Sequence, residues 1–371
     1  MLQPESKPIF KKSLMGVGLP GDRMLCPFVP PEGVLLEPLE PWQKELFQLF
    51  DGVRTVKELT VLLGVLGHHC SLEEVLEFCR ILNVRLLLED MPEEGALPKE
   101  DRYERQRLFF GAWSTRGLLQ GREIQERLES SRVVLFGVGG GGCHVLQNLV
   151  ALGVGYLTLV ECDRVEPSNL NRQILYGEED LGLSKIQVLR RELPRKNSSD
   201  GYIFREEKIG SPEDFTRLLN KQDLGILTAD NPREFIFSWF NQGIYESGTP
   251  GLYTAGVTFT SIYAGPLVIP GETPCYECSL PPWQPDFSRP EVAALNRKYR
   301  HGVIAPYVAV LGGILALEAV KFLTGFQKPL TKGARLELNL CTWESRRIPI
   351  ESRRDCPWCG SEGNKKEKEG L

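Results

Sequence analysis

The stretch Val133 to Gln173, VVLFGVGGGGCHVLQNLVALGVGYLTLVECDRVEPSNLNRQ, constrains this chain more than any other part of it. Its apolar, β-branched start, Val133 to Phe136, reads as a buried strand. Gly137, Gly139 and Gly142 follow in G-x-G-x-x-G spacing, then a helical stretch from Cys143 to Leu152 and a second strand from Leu157 to Val160. A strand, a glycine turn, a helix and another strand in that order predict a Rossmann-like α/β domain with a mainly parallel sheet. The glycines let backbone approach a phosphate, and the helix N-terminus supplies free N–H donors and partial positive charge. Glu161 and Asp163, about 20 residues after the glycines, are placed to take a ribose hydroxyl. Taken alone, the pattern says nucleotide and nothing narrower.

The next six residues narrow it. SNLNRQ, Ser168 to Gln173, sets an Asn-x-x-Arg directly behind the acids. A dinucleotide dehydrogenase has no need for it, whereas an enzyme that breaks ATP between its α and β phosphates must hold a highly charged triphosphate and bind magnesium. Arg172 can fork onto phosphate oxygens, and Lys185, in LGLSK at the start of the next helix, is a second cation. Asp230, in LTADN after the apolar strand Leu224 to Leu227, is a hard oxygen ligand suited to Mg²⁺.

Five motifs in order, RYERQ (Arg102 to Gln106), the glycine loop, ECDRVEPSNLNRQ, TADN, and CYEC paired with CPWC, make the region from about Arg102 to Gly360 resemble the ThiF/MoeB/HesA superfamily. These are adenylating enzymes related to ubiquitin-activating enzyme. The resemblance implies ATP and Mg²⁺, and a homodimer in which Arg105 reaches into the partner subunit's nucleotide site. It places Asn169 where it orients the triphosphate, and Gln173 among the nucleotide-binding residues. Members of the family usually show Asp-x-Asp where this chain has Glu161-Cys162-Asp163, one methylene longer at the first acid.

Ten cysteines stand in a chain whose start, MLQPESKPIF, lacks the basic segment and apolar core of an export signal. The expectation is a cytoplasmic, reducing compartment and metal rather than disulfides. Cys275 and Cys278 form one C-x-x-C and Cys356 and Cys359 another, with 77 residues between the pairs. Each short spacer folds two thiolates onto one ion, so together they predict a closed, structural Zn²⁺ site. In the related enzymes the same pairs hold zinc. Ubiquitin-activating enzymes carry a thioester cysteine after the first pair; Ser279 to Pro306 contains none, so thioester transfer is not expected, with Cys341 the one candidate left for it. His68, His69 and Cys70 sit side by side on a helix–helix loop, where adjacent side chains do not converge on one ion.

A net charge of −5 leaves no nucleic-acid footprint. The most membrane-like run, Gly302 to Leu317, is broken by Pro306 and followed by Glu318 and Lys321. It falls short of the ~20 residues of a bilayer span and reads as a buried helix. At 371 residues the chain accommodates two domains. The division expected is 1–95, 96–362, and a disordered tail, 363–371, with Met91 to Asp101 as linker.

The first domain reads as a small winged-helix-like α+β unit. Val34 to Leu36 is a strand; a helix follows from Pro41 to Phe50, ended by Asp51-Gly52. Thr55 with Glu58, and Ser71 with Glu74, are capping boxes opening a second and a third helix. Asn83 then turns the chain into a strand, Val84 to Leu88. From Cys26 to Asp90 five Lys/Arg face eleven Asp/Glu, a balance of −6, which excludes the DNA binding usual for that shape. With DGVRTVKEL (Asp51 to Leu59), the domain resembles PqqD-like elements that grip leader peptides of ribosomally made natural products. In that family the leader adds as a strand and packs on the third helix.

The two resemblances together imply an ATP-dependent enzyme that adenylates a C-terminal carboxyl, or an Asp, Glu or Asn side chain, of a ribosomal precursor peptide in antibiotic biosynthesis. The alternatives are adenylation of the terminal glycine of a ubiquitin-like sulfur carrier, and a leader-binding scaffold without catalysis.

Overall fold

The computed structural model describes residues 2–29, 31–91, 102–280 and 302–360. The expected junction near residue 95, residues 92–101 of the expected linker, the 363–371 tail and residues 281–301 lie outside them. The chain divides into two compact units, Met1–Arg127 and Leu128–Leu371.

The first unit opens with β1 (Pro8–Phe10), β2 (Val17–Leu19), β3 (Arg23–Cys26) and β4 (Val34–Leu36). Three helices follow, α1 (Pro41–Leu49), α2 (Val56–Val65) and α3 (Leu72–Val84), then β5 (Leu88–Asp90), α4 (Glu104–Ala112) and α5 (Leu118–Ser130), in which the boundary falls. β2, β3 and β4 form one antiparallel sheet; β1 pairs with β5 in another. Leu46, Val56, Leu59, Leu63, Val75 and Leu82, one stripe from each helix, are fully buried. Both expected capping boxes are present, Thr55 with Glu58 and Ser71 with Glu74. One expectation is corrected at the end of α3. Asn83 does not turn the chain: it is buried within the helix, and its Nδ2 donates to the carbonyls of Leu88 (2.9 Å) and Thr115 (2.8 Å). The strand therefore starts only at Leu88.

Two buried charges tie this unit together. Lys11, 2% exposed, donates from Nζ to the carbonyls of Gly111 (3.1 Å), Ala112 (3.5 Å) and Ser114, at the C-terminal end of α4. Such carbonyls have no partner within a helix, and a cation there also meets the negative end of the helix dipole. Glu89 accepts from the N–H of Leu118, at the opposite, positive end of α5. Burial lowers the Lys11 pKa to about 8 and raises that of Glu89.

The second unit carries β6 (Arg132–Phe136), α6 (Gly140–Leu152), β7 (Tyr156–Val160), α7 (Lys185–Lys196), β8 (Tyr202–Arg205), α8 (Pro212–Leu219), β9 (Leu224–Leu227) and α9 (Ile236–Ser247). It continues through β10 (Gly251–Val257), β11 (Ser261–Val268), α10 (Ala305–Thr324), β12 (Ala334–Asn339) and β13 (Ser345–Pro349). One eight-stranded sheet runs β13-β12-β11-β10-β9-β6-β7-β8, parallel from β10 to β8 and antiparallel beyond. Strand order reverses between β6 and β9, and ligands of open α/β sheets bind outside the strand ends at such a switch point.

Helix α10 also differs from expectation. Pro306 does not break it but stands in its first turn, where the missing N–H costs nothing. The helix runs 20 residues and is the one described helix long and apolar enough to cross a bilayer. In this fold it packs on α6. Glu318 and Lys321 are buried and paired at 2.7 Å, and Glu318 also accepts from the N–H and hydroxyl of Thr331.

Candidate functional site

The glycine loop between β6 and α6 is held at Gly137 and Gly142 and open at Gly139. Gly137 adopts φ +88°, and a Cβ there would lie 2.7 Å from the backbone nitrogen of Ala229. At Gly142 a Cβ would stand 2.3 Å from the Gly137 carbonyl and 2.7 Å from Thr228 Oγ1. These two positions are glycine because backbone passes against backbone. Gly139, by contrast, faces open space, with only Gln173 Nε2 near, 3.8 Å from where its Cβ would be. A phosphate can therefore approach at Gly139 and at the free amides that open α6, which starts at Gly140, three residues before the expected Cys143.

Val138 is the pivot of the loop. Its N–H donates to Glu161 Oε2 (2.9 Å), and its carbonyl accepts from Tyr176 Oη (2.9 Å) and Cys143 Sγ (3.4 Å). Burial pushes the Cys143 thiol up to about 12 and the Tyr176 phenol well above its ordinary value, so both stay protonated donors. Glu161, at the end of β7, also accepts on Oε1 from the N–H groups of Cys162 (2.8 Å) and Asp163 (3.0 Å). Three backbone amides thus occupy a carboxylate that is 8% exposed. The acid left facing solvent is Asp163, with a side chain 67% exposed.

Lys185 reaches both acids. It opens α7, and its Nζ lies 3.2 Å from Asp163 Oδ2 and 3.6 Å from Glu161 Oε2, with the side chain 3% exposed. Backbone bonds from Val165 N–H to the Leu183 carbonyl and from Lys185 N–H to the Asp163 carbonyl zip the two loops together and aim the lysine.

The SNLNRQ segment wraps toward the start of α6. Asn169 caps a 3₁₀ turn, Pro167–Asn169, accepting on Oδ1 from the N–H of Glu166 (3.1 Å). Arg172 donates to the Ser168 carbonyl (2.8 Å) and Asn171 Oδ1 (2.9 Å), and its Cδ passes 3.4 Å from a Cβ built on Gly140. Among the described residues, the buried Oε1 of Gln173, a residue 4% exposed, and the Oγ of Ser184 beside Lys185 have no hydrogen-bond partner. Asp230 follows β9; its side chain is 67% exposed, accepts from Asn231 Nδ2 (3.1 Å) and lies 3.7 Å from Arg233. One exposed carboxylate at the strand end suits Mg²⁺, which takes few protein ligands and completes its shell with phosphates and water. Arg105 belongs to the first unit, exposed on α4.

Thus the second unit gathers Gly137, Gly139, Gly142, Glu161, Asp163, Asn169, Arg172, Gln173 and Lys185 about one loop, with Asp230 one residue beyond Ala229. Sequence reasoning missed Tyr176 and Thr228, whose Oγ1 donates to the carbonyl of Gly137 (2.6 Å). Thr228 stood in the TADN motif unassigned, while Tyr176 lies 38 residues from Val138 with no periodicity to flag it.

The four cysteines also meet. Cys275 and Cys356 sulfurs lie 3.4 Å apart, Cys278 and Cys359 3.5 Å, and all four fall within 4.8 Å of one another. Four thiolates at tetrahedral Zn–S distances stand about 3.8 Å apart, so the set fits zinc. The N–H of Cys275 donates to the sulfur of Cys359 and that of Arg353 to the sulfur of Cys278, both at 3.3 Å, the outer bonds that steady thiolate ligands. His68, His69 and Cys70 lie on the loop between α2 and α3, as expected.

Residues 103–358 match the ThiF family. The chain is 34% identical to the sulfur carrier protein adenylyltransferase of Thermus thermophilus over 271 residues, 72% of this chain and 93% of that protein. It is 30% identical to the molybdopterin-synthase adenylyltransferase of Escherichia coli, over 64% of this chain and 90% of that protein. Among solved structures it superposes on Escherichia coli MccB with ATP at a TM-score of 0.76 and 22% identity, covering 95% of this chain and 99% of that one. PaaA superposes with a TM-score of 0.68 at 22% identity, over 92% and 99% of the two chains. With a match that spans the glycine loop, the SNLNRQ turn and the first cysteine pair, this chain belongs to the ThiF family and is an adenylyltransferase of the ThiF/MoeB type.

Proposed function

We propose that this adenylyltransferase acts on a carboxyl or amide group of a ribosomally made precursor peptide, whose leader is held by the N-terminal domain. The observation that carries the reading is one of extent. The ThiF match begins at residue 103, so the three-helix domain lies outside it, yet the likeness to MccB covers 95% of the chain. MccB has been solved with ATP and with MccA. Strand addition has a place to occur, because β2 and β4 each pair on one side only among the described residues.

In this reading an oxygen of the peptide attacks the α-phosphorus of ATP. The bond from that phosphorus to the bridging oxygen breaks, pyrophosphate leaves, and an acyl-adenylate remains. A nucleophile within the peptide then displaces AMP, closing a ring. No protein nucleophile is needed, since positioning and charge compensation supply the catalysis. The α6 amides and Arg172 hold phosphate, Lys185 adds charge beside Asp163, and Asp163 rather than the amide-bound Glu161 takes the ribose. Asp230 holds Mg²⁺, which when bound neutralises the departing pyrophosphate. Arg105 acts from a second copy of the chain, and the four cysteines hold a structural zinc.

The identity to sulfur carrier adenylyltransferases favours a second reading, in which the acyl group is the terminal glycine of a ubiquitin-like carrier. ATP–pyrophosphate exchange separates the two. Exchange should be stimulated by a short precursor peptide, sought among open reading frames beside this gene, and not by a carrier ending in Gly-Gly. The opposite pattern overturns the peptide reading; exchange with neither substrate leaves the non-catalytic scaffold.

A further inference from the structure

Beside the strand edges, the first unit contains a groove of about 440 Å³ between α1 and α3. It is lined by Trp42 and Gln43 on one side and by Glu73, Glu77, Phe78 and Ile81 on the other. Its apolar wall is the edge-to-face pair Trp42–Phe78, with centroids 5.5 Å apart. Trp42 is half-buried, and among the described residues its indole N–H has no acceptor.

The rim carries more acid than folding explains, since Glu73 and Glu74 stand in the first turn of α3 and Glu77 does not. Glu74 is committed to the capping box, accepting from the N–H and hydroxyl of Ser71, and acids in a first turn favour the helix dipole. Glu77 stands in the second turn, out of reach of that benefit. Glu73 and Glu77 are exposed, four residues apart on one face, a like-charge pair that weakens a helix. Four of the domain's cations are occupied elsewhere: Lys44 with Asp22, Arg54 with Asp51, Lys57 with Glu5, and Arg80 on the Leu2 carbonyl. Further along the same face Ile81 and Val84 are 42% and 63% exposed. The stripe Glu73, Glu77, Ile81, Val84 is therefore acidic at one end and apolar at the other.

We infer that this groove recognises one basic residue of the bound peptide together with a large apolar neighbour. The inference rests on the leader-binding reading above and names the chemistry that reading leaves open. An arginine or lysine fits both requirements at once. Its aliphatic stem lies along Phe78, its charge meets the face of Trp42, and Glu73 and Glu77 flank it. The apolar neighbour covers Ile81. A neutral apolar peptide would leave the two carboxylates unanswered, and an acidic one would be repelled.

The test uses the full chain. Random 15-residue peptides displayed on their encoding RNA are selected against it without ATP. Affinities of the enriched peptides are then measured by fluorescence anisotropy for the wild type, the double variant Glu73→Gln/Glu77→Gln, and Trp42→Ala. Enriched sequences should share an Arg or Lys beside a large apolar residue, bind the double variant at least tenfold more weakly, and weaken with added salt. The variant Glu77→Lys should bind better when that basic residue is replaced by Glu, a gain that misfolding cannot produce. If peptides are enriched but bind all variants alike, the groove assignment fails and leader recognition stands. If none is enriched, both fail. A change from dimer to monomer in Trp42→Ala would make the groove an interface between copies and overturn the inference.

Discussion

Around Val138 nearly every polar group has a partner, whereas beside Trp42 the carboxylates of Glu73 and Glu77 have none among the described residues. The loop carbonyl takes two donors, the loop N–H a carboxylate, and Gly137 and Gly142 press on backbone. On α3, Glu73 and Glu77 face solvent, and Ile81 and Val84 stand bare beside them. The difference follows from what each region meets. A triphosphate is always the same shape, so its cradle can be built in advance and loses no freedom on binding. On the peptide reading, the side chain arrives from outside, and the groups that answer it stay unanswered until then.

That contrast can be broken most directly at the charges of the cradle. Asp230→Asn should slow pyrophosphate exchange about a hundredfold while leaving peptide affinity unchanged, because the lost metal ligand acts on developing charge. Near-normal exchange would remove Asp230 from the metal site. Next in size is the cysteine set. Zinc should be found at one ion per chain by metal analysis, and Cys275→Ser should unfold the surrounding strands without altering the first unit's melting, since such a metal contributes folding energy. Active protein free of zinc would contradict the assignment.

Gly142→Ala probes packing alone. Its methyl would have to displace the Gly137 carbonyl, so a loss of about 1–3 kcal/mol in urea unfolding and weaker ATP binding are expected. An unaltered variant would mean that the loop is slacker than its contacts imply. A smaller effect concerns pH. An unfolded chain keeps lysine protonated to about 10.4, whereas burial releases the Lys11 proton near 8. Between those values the unfolded state binds more protons, so Lys11 makes stability rise with pH. The wild type should therefore gain on Lys11→Met between pH 8 and 10 in urea midpoints; a constant difference would show that Lys11 does not titrate there. Smallest of all, Glu73→Gln/Glu77→Gln should leave the melting temperature unchanged or slightly higher. A clear drop would mean that those acids serve the fold and not a ligand.

The legibility of the sequence divides along the same line. Strand β9 and the starts of α2 and α3 stand where the apolar run and the capping boxes put them, because those signals are local. Strands β1 to β3 went unread, being three or four residues long with little alternation to mark them. The spacing of Glu161 identified an acid near the loop. It could not tell a ribose contact from an amide anchor, since that depends on which of two neighbouring carboxylates turns inward. Lys185 was readable as a cation at a helix start, but its burial between two acids comes from the zipped loops, a tertiary fact.

Lys11 and Glu89 carry a lesson for anyone who would exchange the N-terminal domain. A cut near residue 95 looks natural from composition, yet it would strip the cation from the end of α4 and the carboxylate from the start of α5. It would also remove Asn83, which holds the Thr115 carbonyl. A chimera seamed there inherits two helix ends with unanswered backbone groups, and its failure would say nothing about peptide specificity. Grafts should keep residues 1–127 as one piece, or else carry Lys11, Asn83 and Glu89 into the new domain at matching positions.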